Sequence, residues 1–196
     1  MAATSSQSES APVPFLFGPS AIATYANAVT LLRVAVTPVL LVWIVTGGSS
    51  WPAFVLWVAL ASTDGVDGYI ARRYGTTRSG AFLDPLADKF LVLGAMTALV
   101  SIEWFSWVPV ALIAFREVSM SAYRSYVSRR GVSIPARLSA KVKTVVQVIS
   151  VGFALMPPVA DAAPEASVFV LWVSVVLTLG TGVQYLRDGW KPLHAM

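Results

Sequence analysis

Four aspartates fall in two closely spaced pairs, Asp64 with Asp67 and Asp84 with Asp88, and make up four of the ten acidic residues of the chain. Residues three or four apart share one face of a helix, so each pair can aim both carboxylates the same way. Placed on neighbouring antiparallel helices, the two pairs would meet. Four bare carboxylates that close would repel and raise one another's pKa values, unless cations joined them. The chain has no cysteine and no histidine nearby, so an oxygen donor set suits hard ions: Mg2+, Mn2+ or Ca2+. Two divalent ions would neutralise four carboxylates. Gly65, Gly68, Gly75 and Gly80 surround the acids and leave room for a bulky ligand against the backbone. Arg72, one turn beyond Gly68, is suited to a phosphate. Metal, glycine and arginine together point to phosphoryl chemistry. The structural alternative is salt bridging to local arginines, which is a weak reason to keep four acids because surplus buried pairs rarely stabilise. An EF-hand-like calcium loop is excluded because Gly75 stands where the twelfth loop position needs Glu.

The elements that must carry these acids are apolar. Hydrophobic residues are 56% of the 196-residue chain and charged residues only 12%, about half the usual charged share of a soluble domain. The mean hydropathy is +0.70. A charged side chain at membrane depth costs about 2.5–3.5 kcal/mol on insertion scales, so acids held there are functional by default. Apolar segments recur at about the 20 residues needed to cross a bilayer. The expected fold is all-α: a polytopic membrane protein with six transmembrane helices near 28–46, 51–72, 82–100, 107–128, 137–157 and 166–187. A short interfacial helix is expected over 19–27. Gly, Pro and Ser supply most of the breaks, at 47–50, 74–79, 101–106, 129–135 and 157–164. Residues 1–18 read as a disordered tail without the basic region of a signal peptide, 19–190 as one membrane domain and 191–196 as a C-terminal tail.

Charge orients the bundle. Arg72, Arg73 and Arg78 border the second break, Arg124, Arg129, Arg130, Arg137, Lys141 and Lys143 the fourth, and Arg187 and Lys191 follow the last span. The alternate loops contain only Glu103, Asp161 and Glu165. By the positive-inside rule both termini and the aspartates face the cytoplasm of a bacterial-type inner membrane. The basic residues border apolar spans instead of forming a soluble patch, so the pI near 9.6 does not indicate nucleic acid. Most of the seven tryptophans fall near span ends, as in an aromatic belt, and His194 lies in the tail.

The run Asp64-x-x-Asp67-Gly68-x-x-Ala71-Arg72, then Gly80-x-x-x-Asp84-x-x-x-Asp88, resembles the signature of the CDP-alcohol phosphotransferases. Its eight fixed positions span 25 residues, and the likeness extends over the six-helix chain. Seven residues separate Arg72 from Gly80 where the family commonly has eight, a departure that touches only the local loop. The resemblance implies two divalent ions, Mg2+ or Mn2+, held by Asp64, Asp67, Asp84 and Asp88, with Asp88 also the general base. It implies that Gly68, Ala71, Arg72 and Gly80, with Asn27 and Thr30, bound the CDP portion of a CDP-lipid, and that the protein is a homodimer.

The acceptor rests on other residues. Arg116-Glu117-x-x-x-Ser121-x-x-Arg124 and Lys141-x-Lys143-Thr144-x-x-Gln147 place cations where a phosphorylated acceptor would enter, and Arg33 lies near the same face. Lys141 and Lys143 cannot easily share a face, which leaves open which of them meets the substrate. With Leu83-Asp84-Pro85-x-Ala87-Asp88-Lys89, these runs resemble the family members that join glycerol 3-phosphate to CDP-diacylglycerol. Members whose acceptor is phosphatidylglycerol or inositol phosphate are the alternatives within the family. A cation transporter is the alternative outside it, disfavoured because the acids cluster at one face and no inverted repeat is visible.

Overall fold

The computed structural model describes the backbone of residues 25–74, 78–129 and 138–193, and the side chains of 28–63, 86–123, 126 and 142–182. Within them the chain is entirely helical: α1 (Tyr25–Gly47), α2 (Trp51–Tyr74), α3 (Arg78–Ser101), α4 (Trp107–Arg129), α5 (Leu138–Leu155), α6 (Pro157–Ala162) and α7 (Pro164–Leu193). The expected tail, most of the interfacial helix and the end of the C-terminal tail lie outside the described residues.

Several boundaries differ from expectation: α3 begins at Arg78, ahead of the expected 82, and α1 begins at Tyr25, so that 25–27 of the expected interfacial helix belong to it. The break expected over 157–164 contains α6. Pro157 and Pro158 cannot donate to the α5 ladder, and Met156, ahead of them, is extended (φ −78°, ψ 109°). The fixed φ of proline then starts a new turn, with Pro157 at its first position, and Pro164 begins α7 in the same way. The last helix also runs past the expected end, to Leu193. The first break is as expected: Gly48 adopts φ +61° and donates to the Ile44 carbonyl at 2.9 Å, a left-handed helix stop.

One core runs along the bundle. Leu40, Ile44, Trp57, Leu91, Met96, Leu99, Ile113, Leu155 and Leu171 are buried together. α1 packs on α2 and α3, and α5 packs on α7, with α4 against α3 and α7. The outside carries many large apolar side chains, with Leu32, Trp43, Val55, Leu86, Phe115 and Phe169 exposed. Extensive apolar surface of this kind suits lipid rather than water. Ala28–Gly47 and Pro164–Gly182 are long and apolar enough to cross a membrane, while the apolar parts of two other helices, Trp51–Thr63 and Val142–Leu155, are shorter.

Candidate active site

The side-chain contacts alternate as up-and-down helices require. Arg33, in the first half of α1, reaches Thr63 midway along α2, and Lys89, midway along α3, reaches Glu117 and Ser121 in α4. Lys143, early in α5, meets the same Glu117, and Arg116 meets Thr181 late in α7. One end of the bundle therefore gathers most of the polar chemistry.

The aspartates belong to that end. Asp64 and Asp67 lie in the last three turns of α2, with Gly68, Ala71 and Arg72 just beyond. Gly80, Asp84 and Asp88 lie in the first three turns of α3, across the short connection at 75–77. Of these side chains only that of Asp88 is among the described ones, and it is half-buried. The backbone thus puts both pairs on turns flanking one connection, and a donor set of four carboxylates fits hard divalent ions. Thr30 is buried on α1, and Asn27 lies in the first turn of that helix with its side chain outside the described residues. Arg33 is 1% exposed and donates from Nε to Thr63 Oγ1 at 3.0 Å. Thr63 in turn donates to the Leu60 carbonyl at 2.6 Å. That bond fixes Arg33 beside the residue that precedes Asp64, on the aspartate side of the site.

A second cluster lies between α3, α4, α5 and α7. Arg116 Nη1 donates to Glu117 Oε1 at 3.0 Å and Nη2 to Thr181 Oγ1 at 2.8 Å. Lys143 Nζ donates to Glu117 Oε1. Lys89 Nζ lies 3.9 Å from Glu117 Oε2 and donates to the Glu117 carbonyl at 3.3 Å and to Ser121 Oγ. Arg116, Glu117 and Lys143 are all buried. Gly182 of α7 packs beside this arginine: a Cβ there would stand 3.4 Å from its Nε, in van der Waals contact. Deeper in the bundle, Gln147 donates to Thr178 Oγ1 at 3.2 Å.

The structure thus brings Arg116 and Lys143 together on Glu117. It puts Lys143 on the inner face of α5, while the side chains of Lys141 and Arg124 lie outside the described residues. Sequence reasoning gave Lys89 no role beyond its place in the motif and passed over Thr181. The signal for Lys89 was a cation within an apolar helix directly after Asp88. For Thr181 it was the spacing of Ser174, Thr178 and Thr181, which form a polar stripe on one face of α7.

A lipid-facing helical bundle with paired acids and buried cations at one end defines a class, the membrane enzymes of phosphoryl transfer. Residues 23–180 match the family model described as CDP-alcohol phosphatidyltransferase, and the chain belongs to that family. It is 39% identical over 181 residues to the probable phosphatidylglycerophosphate synthase of Mycobacterium tuberculosis, covering 87% of this chain and 86% of that protein. It is 32% identical to the CDP-diacylglycerol–glycerol-3-phosphate 3-phosphatidyltransferase of Bacillus subtilis over 85% of this chain and 95% of that one. The Escherichia coli (strain K12) protein of the same description is 37% identical, over 80% and 90%.

Proposed function

We propose that this enzyme transfers the phosphatidyl group of CDP-diacylglycerol to glycerol 3-phosphate, releasing CMP and forming phosphatidylglycerophosphate. The observation that carries the choice of acceptor is the group of Lys89 and the buried Arg116 and Lys143 around a single carboxylate, Glu117. Such a group suits an acceptor that brings its own phosphate. An acceptor that is itself a lipid has no need of one. The names of the relatives agree with this acceptor.

In this reading Asp64, Asp67, Asp84 and Asp88 hold two divalent ions, Mg2+ or Mn2+. The ions supply charge neutralisation at the phosphate oxygens and at the leaving group. Gly68, Ala71, Arg72 and Gly80, with Asn27 and Thr30, bound the CDP portion, and the glycines let its phosphates lie against the backbone. Arg116, Lys143, Arg124 and Lys141 bind the acceptor phosphate electrostatically. Arg33, tied to α2 at Thr63, serves the aspartate side of the same phosphate-rich space. Asp88, ionised, accepts the proton of the acceptor hydroxyl. The hydroxyl oxygen forms its bond to the lipid-side phosphorus as the bond from that phosphorus to CMP breaks.

The reading extends to the whole chain as one membrane domain. Six of the helices span the bilayer, with the aspartates and both termini on the cytoplasmic side, and the working unit is a homodimer. Purified protein given CDP-diacylglycerol and a panel of glycerol 3-phosphate, phosphatidylglycerol, inositol phosphate and serine tests the choice. CMP release should require glycerol 3-phosphate and a divalent ion, and should stop on chelation. Release with phosphatidylglycerol or inositol phosphate in its place would sink the proposed acceptor.

A further inference from the structure

Glu117 has an unusual position. It touches three cations brought by three different helices: Lys89 from α3, Arg116 from its own α4 and Lys143 from α5. Two of the three, Arg116 and Lys143, are buried. Cations gathered at one point suit an anion that offers several charge-assisted acceptors, and a phosphomonoester, with a charge of about −1.5 to −2 near neutral pH, is such an anion.

The three cations repel one another, and Glu117 is what keeps them together. Its carboxylate takes Arg116 and Lys143 on the same oxygen, and its carbonyl oxygen and Ser121 Oγ hold Lys89. Ser121 is itself fixed, because its hydroxyl donates to that same Glu117 carbonyl at 2.8 Å. Lys89 directly follows Asp88 on α3. A phosphate seated on this cluster is therefore held by the same turn of helix that carries the base.

We propose that Glu117 is the positioning residue of the acceptor site: it gathers Lys89, Arg116 and Lys143 into one cradle for a phosphomonoester dianion, with Lys89 tying that cradle to Asp88. The inference rests on glycerol 3-phosphate being the acceptor. Its effect is on one substrate only, which separates it from a general role in stability.

The test is the Michaelis constant of each substrate for wild type, Glu117→Gln and Lys89→Gln, measured on purified full-length enzyme in mixed micelles. Loss of the Glu117 charge should raise KM for glycerol 3-phosphate about tenfold or more, because the cations lose the group that aims them. KM for CDP-diacylglycerol should stay within about twofold. Simple charge counting gives the opposite sign, since removing a negative charge should tighten an anion. A fall in the acceptor KM, or an equal rise for both substrates, overturns the proposal. Lys89 is the more tolerant site, its side chain being 30% exposed, and it decides the matter if Glu117→Gln does not fold. Lys89→Gln should raise the acceptor KM about fivefold and spare CDP-diacylglycerol, as loss of one charged contact would. An unchanged acceptor KM there removes Lys89 and the cradle with it. If wild type itself gives no product from glycerol 3-phosphate, the choice of acceptor falls, and this inference with it. Active wild type with unaltered variants sinks the positioning role alone.

Discussion

The two ends of the α5–α7 pair are built from different interactions. At the end away from the aspartates, Ser150 Oγ donates to the Ser167 carbonyl at 2.9 Å and Trp104 Nε1 to Ser167 Oγ at 3.1 Å. Ser167 Oγ in turn donates to the Pro164 carbonyl at 2.8 Å. Nearby, Ser50 N donates to the Leu155 carbonyl at 3.1 Å. These groups are neutral, and each donor named has its acceptor within the protein. At the other end α5 contributes Lys143 and α7 Thr181 to the group around Arg116 and Glu117, where two buried cations share one carboxylate oxygen. Gln147 and Thr178 stand between the two regimes. Neutral hydrogen bonds between helices in a membrane are worth about 0.6 kcal/mol on average, enough to set register and little more. Buried ion pairs contribute little net stability against apolar packing. In the proposed function the neutral end holds the bundle together and the charged end receives the acceptor.

If that division is right, conservative changes at the site end cost activity far more than they cost the fold. The largest effect belongs to Asp88→Asn. Without a carboxylate to accept the hydroxyl proton, turnover should fall by about a hundred- to ten-thousandfold, while CDP-diacylglycerol binding is largely kept. Steady-state turnover beside a direct binding measurement checks this, and normal turnover would remove Asp88 as the base. Next comes Arg116→Lys. The arginine spans Glu117 and Thr181 with two different nitrogens, a reach that a single ammonium lacks. KM for glycerol 3-phosphate should rise about tenfold, the scale of one charge-assisted hydrogen bond. Retained affinity would show that charge alone, without the fork, is sufficient.

Much of this arrangement was legible before the fold was known, and the limits have physical causes. Gly48 and the Pro157-Pro158 pair marked helix ends because their backbone chemistry is local. The short α6 was missed because prolines that stop one helix are equally good at starting the next. The aspartate pairs were visible because their spacing alone puts each pair on one face. Glu117 was visible only as the neighbour of Arg116. Adjacent residues point about 100° apart on a helix, so nothing local said that both would turn inward and meet Lys143. The choice between Lys141 and Lys143 depended in the same way on the rotation of α5, which is set by packing against α7 and not by the charges themselves. The span count is the hardest to read, because helices that carry a polar site at one end have short apolar stretches. Two stretches pass on length and apolarity among the described residues, although the apolar outside extends to helices beyond those two.

The smallest effect tests the neutral end. Ser150→Ala removes a hydroxyl whose partner, the Ser167 carbonyl, is a helix carbonyl with its own backbone donor in α7, so no buried polar group is orphaned. The loss should be near the average for such bonds, about 0.6 kcal/mol, which in a chain of this size lowers the midpoint of thermal unfolding by about 1–3 °C. Both Michaelis constants should be unchanged. Thermal unfolding in detergent, run beside the kinetics of Arg116→Lys, puts the two ends on one scale. The informative result is the crossing of the two readouts: stability should move for Ser150→Ala with affinity fixed, and affinity should move for Arg116→Lys with stability nearly fixed. If Ser150→Ala raised the glycerol 3-phosphate KM as much as the arginine change does, the polar groups of the α5–α7 interface would be one coupled network, and the division between a holding end and a binding end would be wrong.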